Sequence, residues 1–277
     1  KIRDIVDWPN TNWGKESDYQ GEADGFVFTD YNAVVNAYYY EALKLMEQIA
    51  NVLGKTNDVD FYKKENVKLK ELYNKTFLDK KRGIYVDGDT TNHAALHTNM
   101  FALDFGLVPD KYIPPVMEHI RSRKMACSVY GSQFLMESLY DGQDADYALS
   151  LLTSTDVRSW YNMIRVGSTI SLEAWDNKYK PNQDWNHAWG AAPANIIPRR
   201  LVGVEPLLPG FESVRICPQI STLKSVESKI PTIRGDIELS IKNEGVYTMT
   251  VKLPANMAGE IYLPKLKGKT KVSCNGE

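Results

Sequence analysis

Cysteine is scarce in this 277-residue chain. Cys127, Cys217 and Cys274 lie too far apart to frame a disulfide scaffold or a metal-ligand cluster. No stretch approaches about 20 consecutive apolar residues, so no segment reads as a membrane-spanning helix and no membrane partner is expected. Neither sign of charge dominates: 33 Lys and Arg stand against 35 Asp and Glu, without long runs of either. A nucleic-acid partner, which calls for a basic stripe, is therefore not expected. Gly-rich phosphate loops, a nucleophile elbow and a Cys–His pairing are also missing. His93 and His97 stand one helical turn apart, but "HAALH" lacks the Glu of a zinc-protease helix and has no third ligand, so no metal is assigned. The opening "KIRDIVDWPN" has neither an initiator Met nor an apolar signal core and reads as a cut inside a longer polypeptide.

What the chain does hold is ordinary globular material, 43% hydrophobic and 25% charged, organised in two blocks. The first is helical. Val35, Tyr38, Ala42, Leu45, Ile49 and Val52 form one apolar stripe in a helix over 30–54, capped by Thr29 or Asp30 and stopped by Gly54. A second helix spans 57–77, with Tyr62, Leu69, Leu72 and Phe77 inward, and a turn or short hairpin follows at 83–89. Further helices are expected at 92–106, at 110–124 with a restart at Pro114 and Pro115, at 132–140, at 145–152 and at 186–201. Helices joined pairwise by short loops, without a fixed repeat, indicate a closed helical toroid rather than a regular solenoid.

After Val202 the runs "SVRICPQ", "GDIELSIKN", "GVYTMTVKLP" and "GEIYLP" are short, β-branched and bounded by turn residues. Tyr247, Met249, Val251 and Leu253 alternate as one buried face. The expected organisation is a helical domain over 1–203 and a small antiparallel β-sandwich over 204–277.

Residues 167–190, "GSTISLEAWDNKYKPNQDWNHAWG", hold three of the six tryptophans, with Trp160 just upstream. Indole faces cover the C–H faces of a sugar ring, and carboxylates or amides hold its hydroxyls. Trp160, Trp175, Trp185 and Trp189 supply the first; Glu173, Asp176, Asn177, Asp184, Asn186 and His187 supply the second. Asp7, Trp8, Asn10 and Trp13 repeat the mixture, with Glu16, Asp18, Glu22 and Asp24 behind them. A carbohydrate is the expected ligand, and a loop plugging a helical bundle is the structural alternative.

"DVRSWYNMIRVGSTISLEAWD", "NQDWNHAWGAAPANIIPRRLVGVEP" and "PGFESVRICPQ" resemble the closing part of glycoside hydrolase family 78, the α-L-rhamnosidases. "DWP" near Trp8, "IANVLGK" and "FALDFGLVP" are similar to further landmarks, so the resemblance covers nearly the whole chain. It implies an (α/α)6 barrel with a C-terminal β-sandwich, and hydrolysis of terminal α-L-rhamnosyl groups with inversion. No cofactor is implied. By motif, Glu173 is the general base, Trp175 an aromatic wall and His187 a sugar contact, with Asp7 and Trp8 on the rim. Leu172 and Ala174 stand where the family commonly has Trp and Arg. A periplasmic or secreted setting is implied over a cytoplasmic one.

An inverting enzyme needs a general acid about 6.5–9.5 Å from its base. The family's acidic proton-donor segment has no counterpart in this sequence. Twelve helices of about 11 residues with connecting loops need roughly 190 residues before any long active-site loop. Long loops at 1–29 and 154–185 leave room for only about seven, so the barrel is expected to be incomplete. The acid, and a partner for the open barrel, are then expected from an upstream segment of the same polypeptide. The alternatives are a non-catalytic carbohydrate-binding protein, or another helical-toroid glycosidase acting on a different sugar.

Overall fold

Asn32 starts the first long helix: its side-chain carbonyl accepts the N–H groups of Val34 at 2.9 Å and Val35 at 3.2 Å. The computed structural model describes residues 5–8, 21–264 and 271–275. Asn10, Trp13, Glu16 and Asp18 lie outside the described residues. Asn32, rather than Thr29 or Asp30, is thus the cap of α1 (Ala33–Val52), and the Thr29 hydroxyl donates instead to the Tyr31 carbonyl. Gly54, at φ +66°, closes the helix in the left-handed conformation that glycine adopts without a Cβ penalty.

α2 (Thr56–Phe77) folds back along α1. A two-residue hairpin, β1 (Leu78–Asp79) with β2 (Ile84–Tyr85), leads to α3 (Leu96–Asp104). α3 pairs with α4 (Ile113–Arg123), and α5 (Gly131–Asp141) with α6 (Ala145–Leu152). α1 packs on α3 and α3 on α5, so three α-hairpins stand in sequence. Tyr38 of α1 joins them with its ring 4.8 Å from Phe101, 5.3 Å from Phe105 and 6.0 Å from Phe134.

Several local expectations shift for physical reasons. α3 starts later than expected because the segment before it is tied to the buried Asp87, which accepts from Ala95 N–H at 2.8 Å and Thr98 Oγ1 at 2.7 Å. The segment over 110–124 does restart at the prolines: a 3-10 turn over Asp110–Tyr112 gives way to α4, with Pro114 and Pro115 in its first turn, where a missing N–H costs nothing. α7 (Trp160–Arg165) lies in a stretch read as loop; Ser159 caps it by accepting the Asn162 N–H at 3.2 Å. The helix expected over 186–201 is broken into a 3-10 turn, the short α8 (Ala192–Ile196) and a π turn, with Pro193 and Pro198 withholding N–H donors.

Apart from Tyr38, which packs on Phe101, Phe105 and Phe134, the apolar stripe of α1 does not face the core. Val35, Tyr38, Leu45, Ile49 and Val52 are exposed, Val52 by 85%, while Val34, Ala37, Tyr40, Leu43 and Ala50 are buried. In α2 Leu72 is likewise exposed and Tyr73 takes the inward position.

Contacts divide the chain into two units, Lys1–Pro193 and Ala194–Glu277. The C-terminal unit holds two three-stranded sheets. One has the order β3 (Val204–Pro206), β4 (Ser213–Ile216), β8 (Ala258–Ile261); the other runs β5 (Ser225–Thr232), β6 (Gly235–Glu244), β7 (Val246–Lys252). Among the described residues, all strand pairs are antiparallel except β4 with β8, because the chain traverses the whole second sheet before returning beside β4. Val214, Ile216, Ile237, Leu239 and Ile241 are buried, and Tyr247, Met249, Val251 and Leu253 alternate as expected but are only half-buried.

Candidate active site

The short described N-terminal stretch, residues 5–8, is fixed by one buried carboxylate. Asp7 Oδ2 accepts the Ser128 N–H at 2.8 Å and meets His97 Nε2 at 2.7 Å; Oδ1 accepts the Trp8 N–H at 2.8 Å and the Ser128 hydroxyl. His97 comes from α3 and Ser128 from the turn before α5, so Asp7 ties two hairpins to the segment that carries Trp8. Gly131 makes room for it, since a Cβ there would lie 2.6 Å from Asp7 Oδ2.

Residues 167–190 fold back on themselves as an irregular hairpin. The Glu173 N–H donates to the Asp184 carbonyl at 3.1 Å, and the His187 N–H to the Ser171 carbonyl at 2.9 Å. The Ala174 N–H is held by Gln183 Oε1 at 2.9 Å, and the Ser171 hydroxyl donates to the His187 carbonyl at 2.8 Å. Gly190 permits the closure, because a Cβ would sit 2.4 Å from the Leu172 carbonyl oxygen. Without regular strand pairing, these side-chain bonds satisfy the loop's backbone.

The centre of the arrangement is the Glu173 carboxylate, 6% exposed. Its Oε1 accepts the Trp8 indole N–H at 3.1 Å. Its Oε2 accepts the Asp184 N–H at 2.9 Å and faces Lys180 Nζ at 2.9 Å. Burial alone would raise its pKa. The Lys180 ammonium, the Asp184 N–H and the Trp8 N–H together outweigh that and hold the carboxyl below its ordinary value, ionised near neutrality.

Around it stand aromatic groups. Trp189 donates its indole N–H to the Glu173 carbonyl at 3.2 Å, with its ring 4.3 Å from His187 and 5.4 Å from Tyr130. Trp185 is 43% exposed, and His187 is half-buried with Nδ1 3.4 Å from Asp184 Oδ2. Trp160 donates to the Gly190 carbonyl at 2.9 Å. Asp176 shapes its own turn, accepting from Asn162 Nδ2 at 3.0 Å and the Lys178 N–H at 3.1 Å.

Two expected sugar contacts have no surface to offer one. Trp175 is fully buried, its indole N–H donating to the Cys127 carbonyl at 2.7 Å and its ring edge-on to Trp160 at 5.2 Å. It is a packing anchor beneath the loop, not a sugar-facing wall. The Asp7 side chain is equally enclosed, its oxygens occupied by Ser128, His97 and the Trp8 N–H, so it anchors the rim rather than forming it. Lys180, Ser128 and Tyr130 were not singled out by sequence; nothing in "NKYKPN" marks Lys180 as more buried than Lys178.

Glu22 is fully buried behind this layer. Burial, offset by Arg158 with Nη2 at 3.4 Å and reinforced by Asp7, pushes its pKa to about 8. His93 and His97 turn to different carboxylates, Asp87 at 2.6 Å and Asp7 at 2.7 Å. Glu173, Asp184 and His187 bring three ligand atoms within 4.8 Å of one another, a spacing compatible with a cation. At Glu173 that positive charge is already supplied by Lys180.

The Glu173 carboxylate and its indole and imidazole neighbours are thus carried on loops that flank paired α-hairpins. The family model described as bacterial alpha-L-rhamnosidase 6 hairpin glycosidase domain matches residues 2–201, and bacterial alpha-L-rhamnosidase C-terminal domain matches residues 203–276. The chain belongs to the bacterial α-L-rhamnosidase family.

The α-L-rhamnosidase of Alteromonas sp. (strain LOR) is 26% identical over 254 residues, 85% of this chain and 27% of that protein. The solved structure of α-L-rhamnosidase from Dictyoglumus thermophilum aligns with a TM-score of 0.74 at 22% identity, covering 84% of this chain and 27% of that one. That of Streptomyces avermitilis α-L-rhamnosidase complexed with L-rhamnose aligns at 0.69 and 19% identity, covering 92% and 26%. At these identities the structural likeness establishes a common fold. The chain spans only 27% and 28% of the length of the curated relatives it matches.

Proposed function

We propose that this chain supplies the base-bearing part of an α-L-rhamnosidase active site that hydrolyses terminal α-L-rhamnosyl groups with inversion. The observation that carries the proposal is the buried Glu173 carboxylate, held ionised by three N–H donors with Trp189 and His187 beside it. A general base must be unprotonated to take a proton from the attacking water. Trp185, Trp189 and Tyr130 offer faces for the ring of the sugar, and His187 offers a hydroxyl contact.

The proton for the leaving oxygen then comes from an acid carried elsewhere in a longer polypeptide, together with hairpins that complete the barrel. The exposed apolar stripe of α1, from Val35 to Val52, is the surface those hairpins cover. Its residues have the spacing of a packed face, and the chain accounts for about a quarter of the relatives' length.

A panel of aryl glycosides, assayed with this chain and with the full-length polypeptide, tests the proposal. The full-length protein should cleave the α-L-rhamnoside, and proton NMR should show the β anomer released first; the chain alone should be inactive or nearly so. Preference for another glycoside, or release of the α anomer, would overturn the substrate or the stereochemistry. Sugar binding without turnover in the full-length protein would favour a purely binding role. Brisk rhamnoside turnover by the chain alone would overturn the divided site.

A further inference from the structure

The donors that reach Glu173 are divided unevenly between its two oxygens. Oε2 takes the Asp184 N–H and the Lys180 ammonium, both at 2.9 Å, whereas Oε1 takes only the Trp8 indole N–H at 3.1 Å. A carboxylate offers about four acceptor positions. Among the described residues, the position left open is on Oε1. Lys180 is not a passing surface contact: its side chain is 12% exposed, and Nζ is also 3.2 Å from the Asn182 carbonyl. Its neighbour Lys178 instead lies over the Tyr179 ring, 5.1 Å from the centroid.

We infer that Lys180 is a positioning residue for Glu173, occupying Oε2 together with the Asp184 N–H so that Oε1 is the atom that takes the proton from water. The inference rests on Glu173 being the general base. In the step, a water O–H bond breaks and an Oε1–H bond forms. The water oxygen bonds to the anomeric carbon, and the glycosidic C–O bond breaks, its oxygen receiving a proton from the general acid.

The choice of oxygen follows from hydrogen-bond polarity. Once Oε1 is protonated, Oε2 is the carbonyl oxygen of a neutral acid and keeps both N–H donors. A proton placed on Oε2 would instead point at an ammonium and an amide N–H, and one of them would have to leave. Among the described residues, the charged or titratable groups facing Glu173 are Lys180, the exposed Asp184 and His187, with ligand atoms of the last two within 4.8 Å of its carboxylate. Asp7, behind Trp8, is already committed to Ser128 and His97.

The test compares Lys180→Met and Lys180→Arg in the full-length polypeptide by the pH profile of kcat/KM on an aryl rhamnoside. Lys180→Met should move the acidic limb up by about one pH unit and lower kcat about 10-fold with little change in KM, because the opposite charge next to the base is gone. Lys180→Arg should restore most of both. A second readout uses this chain alone: stability against pH, with and without Glu173→Gln. Ionised Glu173 stabilises the fold above its ordinary pKa of 4.5, and that contribution is lost as pH falls below it. This acid-side loss should shrink in Lys180→Met.

An unmoved acidic limb in a folded Lys180→Met protein, or a Lys180→Arg protein no better than Lys180→Met, would overturn the inference. If Glu173→Gln leaves turnover intact, Glu173 is not the base and the catalytic role of Lys180 falls with it. The stability readout would still report whether the two residues are paired.

Discussion

The indole N–H of Trp8 donates to Oε1 of Glu173 at 3.1 Å, joining two residues 165 positions apart in the chain. This bond holds Oε1, while Lys180 and the Asp184 N–H hold Oε2. Trp8→Phe keeps the ring and removes the donor. It should lower kcat of the full-length enzyme by about 10-fold and cost the chain about 1 kcal/mol, the usual net worth of one hydrogen bond. Paired rate and thermal-melting measurements check this; an unchanged rate would mean that the contact only packs.

Asp7 should matter for stability more than its place next to Trp8 suggests. Asp7→Asn puts an NH2 group where Ser128 or His97 requires an acceptor, and the misfit is buried. A loss of about 2–4 kcal/mol is expected from urea unfolding of this chain. A loss below about 0.5 kcal/mol would show that residues 5–8 are not anchored through this network.

Glu22 gives the chain a pH dependence of its own. Its pKa is raised from 4.5 to about 8, so between these values the folded state holds a proton that the unfolded state releases. Stability from this group is therefore complete below about pH 4.5 and declines as pH rises toward 8. Glu22→Gln should flatten the decline, whatever it does to absolute stability. Parallel curves of unfolding free energy against pH for the two proteins would contradict it.

The helices and the tryptophan-rich loop were legible in the sequence because each rests on a local signal: apolar spacing for α1 and α2, turn residues between the later helices, and residue density for 167–190. What eluded it depends on partners distant in the chain. Periodicity identified the Val35–Val52 stripe of α1 but not what covers it, and the structure leaves it exposed. α7 is a six-residue helix, too short for a period to emerge, and it is announced only by its Ser159 cap. Trp175 and Trp185 look alike in sequence, yet one is sealed against the Cys127 carbonyl and the other is open. Lys180 shows the same ambiguity among the loop's polar residues, and only its approach to Glu173 separates it from Lys178.

The stripe of α1 supplies a prediction about assembly. Leu45→Gln with Ile49→Gln should change the stability of this chain by no more than about 0.5 kcal/mol, as surface substitutions do. In the full-length polypeptide, where hairpins are expected to cover both positions, the pair should cost about 2–5 kcal/mol. Equal effects in the two contexts, read from denaturant unfolding, would mean that nothing docks there.

The most direct test of the account is Glu173→Gln in the full-length polypeptide. Gln keeps the shape and can still accept the Trp8 and Asp184 N–H groups, but it cannot take a proton from water. The account predicts a fall in kcat of about 10²–10⁴-fold with rhamnose binding retained, as for loss of a general base. Turnover within about threefold of the unaltered protein, at any pH between 5 and 8, would contradict it.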